Sequence, residues 1–261
     1  MPALASLLGV LETLAPLRLA GSWDNVGLLL EGTRPVRRLG LAIDLTGPVV
    51  EELLDAEVDV VISYHPPIFA GLKRITSAAP RSRSLLALIR AGVHVYSPHS
   101  ALDAAAGGMA DWLVDGLGPH GSSQPVQPDV QDPALGAGRL ASLDRPKPLQ
   151  ELLGPLCAHL GISALRVSGA MDQSIQRVAV CPGAGGSVFE SAWDVDLLLT
   201  GEMRHHDVLA RAEAGIAVIL TDHTNTERGY MPIFAERLRR ATGLEVVLST
   251  RDADPLVVVS P

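Results

Sequence analysis

The sequence predicts an α/β protein with mostly parallel sheets, arranged as one large domain or two interlocked lobes. Short apolar segments typical of buried strands alternate with segments whose leucines recur at helical spacing. The chain has 261 residues, which is long enough to bury a sizeable core. Hydrophobic residues make up 47% of the chain and aromatic residues only 3%, which indicates a core of aliphatic side chains.

The first predicted element is an amphipathic N-terminal helix, because leucines stand at positions 4, 7, 8, 11 and 14. It lacks the basic start of a signal peptide. Strands are predicted at 39–45, 58–65, 93–99, 177–181, 196–202, 217–223 and 245–250. The Pro- and Gly-rich stretch 118–138 separates the two strand groups and is either a lobe boundary or a surface loop. The approximate lobes are 1–125 and 126–261 within a single unit of 1–261.

Composition makes several classes of partner improbable. A formal charge of −8 and a pI near 5.4 make nucleic acid an unlikely partner. No apolar run approaches the roughly 18 to 20 residues of a membrane span, so no membrane partner is expected. Cys157 and Cys181 lack metal-ligand spacing and are interpreted as buried thiols in a reducing compartment. The expected location is the cytoplasm.

Three predicted strands end in a histidine: His65, His99 and His223. Four residues after the last two stand Asp103 and Glu227, so a helix beginning at each strand end would put imidazole and carboxylate on one face. Such a pair alone is most often a weak ion pair at the surface. Five donors at three strand ends instead favour a site for Zn²⁺, Fe²⁺ or Mn²⁺, in which carboxylates can bridge two ions.

Other constellations are weaker. Glu202 also closes a predicted strand, whereas His205 and His206 have no partner at ligand spacing and are expected on a helix near the surface. The segment 181–187 is either an anion cradle or a tight turn into a helix. The chain contains no nucleophile elbow, P-loop or zincin motif.

Six segments resemble the NGG-interacting factor three family, whose members are also known as GTP cyclohydrolase type two homologues. They are SWDNVGLLLEG (22–32), ISYHPPIF (62–69), YSPHSALDAAAGGMADWL (96–113), TGEMRHHDVL (200–209), DHTNTERGYM (222–231) and STRDADPLVVV (249–259). The resemblance implies two interlinked α/β lobes with a metal site between them and a toroidal homohexamer. It also implies the short form without an inserted domain, closest to the animal-like branch, with the C-terminal segment packing back toward the metal site.

The resemblance also implies a ligand set: His65, Asp103, His223 and Glu227. His99 is an additional candidate from spacing alone. Tyr64 stands where bacterial members commonly carry a further histidine ligand. Either the Tyr64 phenolate binds metal, or a water takes the ligand position of that histidine, or one of the two ions is absent or weakly bound. The expected cofactor is therefore one or two divalent ions of Zn, Fe or Mn.

Two functions are consistent with such a site. The first is a metal-dependent hydrolase of cyclohydrolase or phosphoester type, with Glu227 and Glu202 as catalytic residues and Arg204 or Arg228 holding a small phosphorylated or nucleotide substrate. The alternative is a non-enzymatic ring scaffold, or a metal storage or delivery protein that acts through protein partners. No organic cofactor site is predicted.

Overall fold

The computed structural model describes residues 4–259, which form two compact units. The first contains the described residues up to Leu102 together with Tyr230–Pro255, and the second contains Asp103–Gly229 and the described residues after Pro255. These bounds differ from the expected lobes 1–125 and 126–261, because the chain returns to the sheet of the first unit after residue 229. The start of the predicted N-terminal helix, residues 1–3, lies outside the described residues.

The helices and strands are numbered in chain order. The first half of the chain contains α1 Leu4–Leu14, β1 Gly27–Leu30, β2 Arg38–Ala42, α2 Gly47–Asp55, β3 Val60–Ser63, α3 Pro80–Ala91, β4 His94–Ser97, α4 His99–Ala104 and α5 Met109–Asp115. The second half contains β5 Gln127–Pro128, β6 Gly136–Ala137, β7 Arg139–Pro148, α6 Leu149–Leu160, β8 Arg166–Ser168, β9 Ser174–Ala184, β10 Leu197–Glu202, α7 His205–Glu213, β11 Ala217–Leu220, α8 Met231–Thr242 and β12 Glu245–Leu248.

The sheet of the first unit has the order β1-β4-β3-β2-β12, and only β1 runs antiparallel to its neighbour. Ala42 pairs with Ser63 and Ile62 with Tyr96, so β2, β3 and β4 end at the same edge. The apolar residues of α2 and α3 pack on this sheet, as their buried leucines and valines show. Residues that follow these three strands are therefore collected at one sheet edge, where open parallel sheets place their sites.

The sheet of the second unit has the order β7-β9-β10-β11-β8, with β9, β10 and β11 parallel. Thr200 at the end of β10 pairs with Cys181 of β9 and with Leu220 of β11. The three central strands thus end side by side, and the loops that follow them meet at one edge. The expectation of mostly parallel sheets in an α/β fold is confirmed.

All seven predicted strands are present, whereas β1, β5, β6, β7 and β8 were not predicted. Strands β1, β7 and β8 are antiparallel strands at a sheet edge, and β5 and β6 are two-residue strands that pair with each other. Strands β7 and β8 lack the continuous apolar run of a buried parallel strand, and β7 contains prolines in addition, whereas β1 is a short apolar segment, GLLL. Stretch 118–138 lies within the second unit and contains the β5–β6 hairpin, so it is a loop of that unit and not a boundary.

A buried ion pair supports the chain just after Asp103. Arg139 is almost fully buried and pairs with Asp111 of α5. Its guanidinium also donates to the carbonyls of Ala104 and Ala105, at 3.3 and 3.2 Å. A buried guanidinium without partners would be costly, so Arg139 depends on these contacts. The contacts in turn hold the carbonyls of Ala104 and Ala105, at the end of α4, within the second unit.

Two further expectations concern cysteines and membrane spans. Cys157 and Cys181 are both free thiols, and Cys181 is buried whereas Cys157 is half-buried. Within residues 4–259, none of the helices is long and apolar enough to cross a membrane.

Candidate metal centre

In the first unit, the residues after β3 and β4 bring three predicted site residues together. The imidazoles of His65 and His99 have ring centroids 5.4 Å apart. The ring of Tyr64 lies 5.0 Å from that of His65 and 5.4 Å from that of His99, and its side chain is only 1% exposed. The sheet edge therefore carries two imidazoles beside a buried phenol.

Two carboxylates orient these imidazoles. Asp44 contacts Nδ1 of His65 at 2.9 Å, and Asp24 contacts Nδ1 of His99 at 2.7 Å. Since a carboxylate accepts a hydrogen bond, each contact favours the Nδ1–H tautomer and leaves Nε2 as an electron-pair donor. Carboxylate–histidine pairs of this kind are the usual support of metal-binding histidines.

Asp24 is held as an anion in its partly buried place. Burial alone would raise the pKa of its carboxyl, but hydrogen bonds from His99, from Ser100 and from the backbone N–H of Asn25 lower that pKa. Ser100 contributes its backbone N–H at 3.2 Å and its hydroxyl at 2.5 Å. Asp24 and Asp44 were not predicted as site residues, because neither stands at ligand spacing from a histidine.

In the second unit, His223 lies between two carboxylates. Its Nδ1 is 3.3 Å from Oε2 of Glu202, and its Nε2 is 3.5 Å from Oε1 of Glu227. Glu202 at the end of β10 is 57% exposed, whereas Glu227 is only 1% exposed. One carboxylate of the pair can therefore meet solvent, and the other is enclosed by protein.

The turn that carries His223 differs from the predicted helix. A 3₁₀ turn spans Thr224–Thr226 where an α-helix was expected, yet the imidazole and the Glu227 carboxylate still face each other. The preceding Asp222 has a φ of +67°, a left-handed conformation that non-glycine residues adopt mainly where surrounding contacts enforce it. Thr226 fastens the turn, since its hydroxyl donates to the His223 carbonyl at 2.7 Å and accepts from the Gly183 N–H at 2.8 Å.

Two glycines allow the backbone to approach His223 closely. A Cβ added to Gly183, whose φ is +60°, would lie 3.0 Å from both Glu227 Oε1 and His223 Nε2. A Cβ on Gly201 would lie 2.7 Å from the carbonyl oxygen of Gly183 and 2.8 Å from the Cα of His223. Only glycine fits either position without displacing these atoms. Segment 181–187, interpreted as a turn or an anion cradle, therefore lines the His223–Glu227 pair.

Asp103 lies near the Cys181 thiol of the same unit. Burial raises the pKa of the Cys181 thiol, and the negative charges of Asp103 and Glu227 raise it further. Both carboxylates are thus close enough to one thiol to act on it electrostatically. The Glu227 carboxylate and the His223 imidazole, beside a space that a methyl group would fill, are donors that suit a borderline divalent cation.

Three further histidines have surface or structural positions, and two of them, His205 and His206, lie on a surface helix as predicted. His205 and His206 lie exposed on α7. His94 is buried and has structural partners, since its Nδ1 accepts from the Gly32 N–H at 2.9 Å and its Nε2 donates to the Arg34 carbonyl at 3.0 Å. The predicted site residues thus divide into Tyr64, His65 and His99 in the first unit and Asp103, Glu202, His223 and Glu227 in the second.

Comparison with known proteins identifies the family. A family model described as Duf34/NIF3 (NGG1p interacting factor 3) matches residues 2–255. The protein NIF3 homolog of Schizosaccharomyces pombe is 41% identical over 96% of each chain, and NIF3-like protein 1 of Drosophila melanogaster is 37% identical over 98% of this chain and 89% of that protein.

Solved structures show the same fold. The Bacillus cereus protein related to NIF3 superposes with a TM-score of 0.86 at 19% identity, covering 99% of both chains. Reduced HcgD from Methanocaldococcus jannaschii superposes with a TM-score of 0.82 at 24% identity, covering 95% of this chain and 97% of that one. The fold and the relatives agree with the resemblance found in the motifs, and the chain belongs to the Duf34/NIF3 family.

Proposed function

We propose that this chain is a divalent-metal-binding hydrolase that acts on a small phosphoester, nucleotide or cyclic substrate. The observation that carries the proposal is the arrangement around His223, whose two ring nitrogens each face a carboxylate at the carboxyl edge of a parallel sheet. The backbone at Gly183 is shaped to leave room beside the Glu227 and His223 donor atoms. Such space between unlike donors suits a cation.

The proposed ligands are His65, Asp103, His223 and Glu227. The second unit supplies the last three, and His65 joins them by family resemblance, with the Asp44 contact favouring the tautomer whose lone pair is on Nε2. His99 and Tyr64 are the candidates for a second ion, so the proposed stoichiometry is one or two ions of Zn, Fe or Mn.

A bound divalent ion would supply Lewis acidity, which lowers the pKa of water and polarises a phosphoryl or carbonyl oxygen. The protein contributes the groups that hold and move protons. Glu202 keeps the His223 imidazole oriented and, being exposed, is the proposed general base. Glu227 is enclosed by protein, so its proposed role is to hold the ion and not to exchange protons with solvent.

The alternative is a non-enzymatic scaffold, or storage or delivery of metal through protein partners. The observation that favours it is the burial of Glu227, because a ligand set closed by protein is typical of structural metal sites. The exposed Glu202 favours the hydrolase instead, since it lines an open cavity on the second unit. Under either function we propose a cytoplasmic homohexamer.

Metal analysis of the purified protein tests the shared part of both functions. The wild-type protein should carry a divalent transition metal, and His223→Ala and Asp103→Ala should each lose most of it while remaining folded. His206→Ala is the matched control, because this exposed histidine of α7 should leave the metal content unchanged. Full occupancy in both site variants would reject the proposed ligands.

Turnover separates the two functions. Wild-type protein loaded with metal should hydrolyse at least one member of a panel of nucleotides and phosphoesters. Glu202→Gln should keep the metal and lose most of the turnover, by about 10²-fold or more, because it removes the proposed base. Loss of metal together with turnover would instead show that Glu202 only holds the site together.

A further inference from the structure

The second unit carries an open cavity of about 850 Å³ beside the candidate metal centre. Its volume lies within the usual range of small-molecule sites, which is about 300 to 1,000 Å³. Glu202 lines this cavity and also contacts His223. Two further lining residues, Trp193 and Arg204, have properties that the metal site does not require.

Trp193 forms a rigid aromatic surface in the cavity. Its side chain is 51% exposed, although its indole N–H donates to the Glu190 carbonyl at 2.8 Å. The guanidinium of Arg211 lies over the ring, with its central carbon 3.5 Å from the ring centroid. Arg211 is itself only 5% exposed and donates to the carbonyls of Ala192 and Phe189, at 2.7 and 2.5 Å. The indole is therefore fixed from one side while half of its surface meets solvent.

An exposed tryptophan held in this way is suited to stacking. A flat ring placed against it covers apolar surface without ordering a flexible side chain, so little conformational entropy is lost on binding. The cation beneath the indole also increases its attraction for heteroaromatic rings that carry partial negative charge. The expected ligand therefore contains a planar heteroaromatic ring.

Arg204 supplies an available positive charge in the same cavity. Its side chain is exposed, and its guanidinium has no hydrogen bond or ion pair with any residue between 4 and 259. Arg166 also lines the cavity, but it pairs with Asp222 at 2.9 Å. A guanidinium group can donate two parallel hydrogen bonds to two oxygens of the same phosphate. Arg204 is therefore suited to hold one phosphate.

The charge balance of the cavity limits how many phosphates it can hold. The charged lining residues are three arginines and three acids: Arg166, Arg204, Arg211, Glu190, Glu202 and Asp207. Two of the arginines already have protein partners. Because the positive and negative charges of the lining are equal in number, the cavity has no excess positive charge for several phosphates, and a single phosphate is favoured.

We propose that this cavity binds a nucleoside monophosphate, with its base stacked on Trp193 and its phosphate on Arg204. This inference rests on the proposed function in one respect, namely that the cavity with Glu202 on its wall is the substrate cavity of the hydrolase. The binding itself requires neither metal nor turnover. It can therefore be measured separately from the proposed chemistry.

Isothermal titration with adenosine 5′-monophosphate, adenosine, ribose 5-phosphate and adenosine 5′-triphosphate tests the inference. The monophosphate should bind more tightly than the other three compounds. Trp193→Ala should weaken its binding about tenfold, because stacking of one base contributes that much, and Trp193→Phe should restore most of the affinity. Arg204→Gln should weaken the monophosphate about fivefold or more and leave adenosine unchanged.

Arg145→Gln is the control, because this exposed arginine of β7 does not line the cavity and should leave all four affinities unchanged. Thermal unfolding of each variant checks that the second unit stays folded. The inference is overturned if the monophosphate does not bind at millimolar concentration, or if its affinity is unchanged in folded Trp193→Ala.

Repeating the titration after removal of metal with EDTA separates this inference from the proposed function. Binding that persists in the EDTA-treated protein supports the cavity even if metal analysis rejects the ligand set. Binding that is lost with the metal, while Trp193→Ala has no effect in the loaded protein, assigns the phosphate to the ion and overturns the role of Trp193.

Discussion

Replacing Gly183 with alanine tests the close approach of the backbone to His223 and Glu227, the proposed metal-binding pair. The new Cβ would lie 3.0 Å from Glu227 Oε1 and 3.0 Å from His223 Nε2, whereas ordinary van der Waals contacts begin near 3.4 Å. The two donor groups must therefore move by a few tenths of an ångström. Since displaced supporting contacts around a metal typically cost about 10- to 100-fold in affinity, we expect a loss in that range.

The same substitution also strains the backbone, because Gly183 has a φ of +60°. Alanine in this left-handed region costs about 1 kcal/mol, which should lower the melting temperature by about 2 to 4 °C. Gly161→Ala separates the two effects. Gly161 has a φ of +71°, and none of the described atoms lies within 4 Å of its added Cβ. It should show the same loss of stability with normal metal affinity.

The assay is a competition titration of metal against a chelating dye, with melting temperatures measured on the same metal-free samples. A wild-type metal affinity in Gly183→Ala would contradict this prediction, because it would mean that the donors near Gly183 do not hold the ion. A loss of affinity that is equal in Gly183→Ala and Gly161→Ala would instead assign the effect to backbone strain alone.

Three further predictions concern the ligand count, acid stability and assembly. Tyr64→His should raise the metal stoichiometry measured by elemental analysis, or the metal affinity. An unchanged stoichiometry would show that the Tyr64 phenol is already a metal ligand or that the pocket cannot accept a second ion. Burial opposes ionisation of Glu52, but hydrogen bonds from Ser249, Thr250 and Arg251 outweigh it and lower the Glu52 pKa from 4.5 to about 2. Because the folded pKa is the lower one, the stability from Glu52 is complete above pH 4.5 and is lost as pH falls toward 2. Glu52→Gln should therefore flatten the decline of melting temperature in that window, and a decline as steep as that of the wild type would contradict this. Light scattering at micromolar concentration should return the mass of a hexamer, and a monomer mass would reject the proposed ring.

The fold was largely predictable because its central strands are buried on both faces. Segments such as 58–65 and 217–223 are rich in apolar residues and end in a histidine, and β3 and β11 lie within them. The strands that were not predicted are β1, β7 and β8 at sheet edges and the two-residue strands β5 and β6, and polar residues interrupt the apolar pattern of β7 and β8. The division of the chain into units was not predictable from loop composition. It depends on the pairing of β12 with β2, which returns the chain to the first unit after residues 103–229 have formed the second.

The candidate site was predictable only where a ligand stands at a strand end. His223 and Glu227 were found by spacing and do face each other, although a 3₁₀ turn replaces the expected helix. Asp24 and Asp44 were missed because each reaches its histidine through the fold, across 75 and 21 residues of sequence. Gly183 was seen as part of a turn, and only the structure shows which atoms it approaches.

The most direct test of metal binding by His223 and Glu227 is an anomalous-difference map from crystals of the metal-loaded protein, recorded at the absorption edge of the bound metal. A peak about 2.0 to 2.2 Å from His223 Nε2 and from a carboxylate oxygen of Glu227 is the predicted result. A peak elsewhere, or a map without a peak beside this pair in crystals whose metal content is confirmed by fluorescence, would contradict the proposed metal centre.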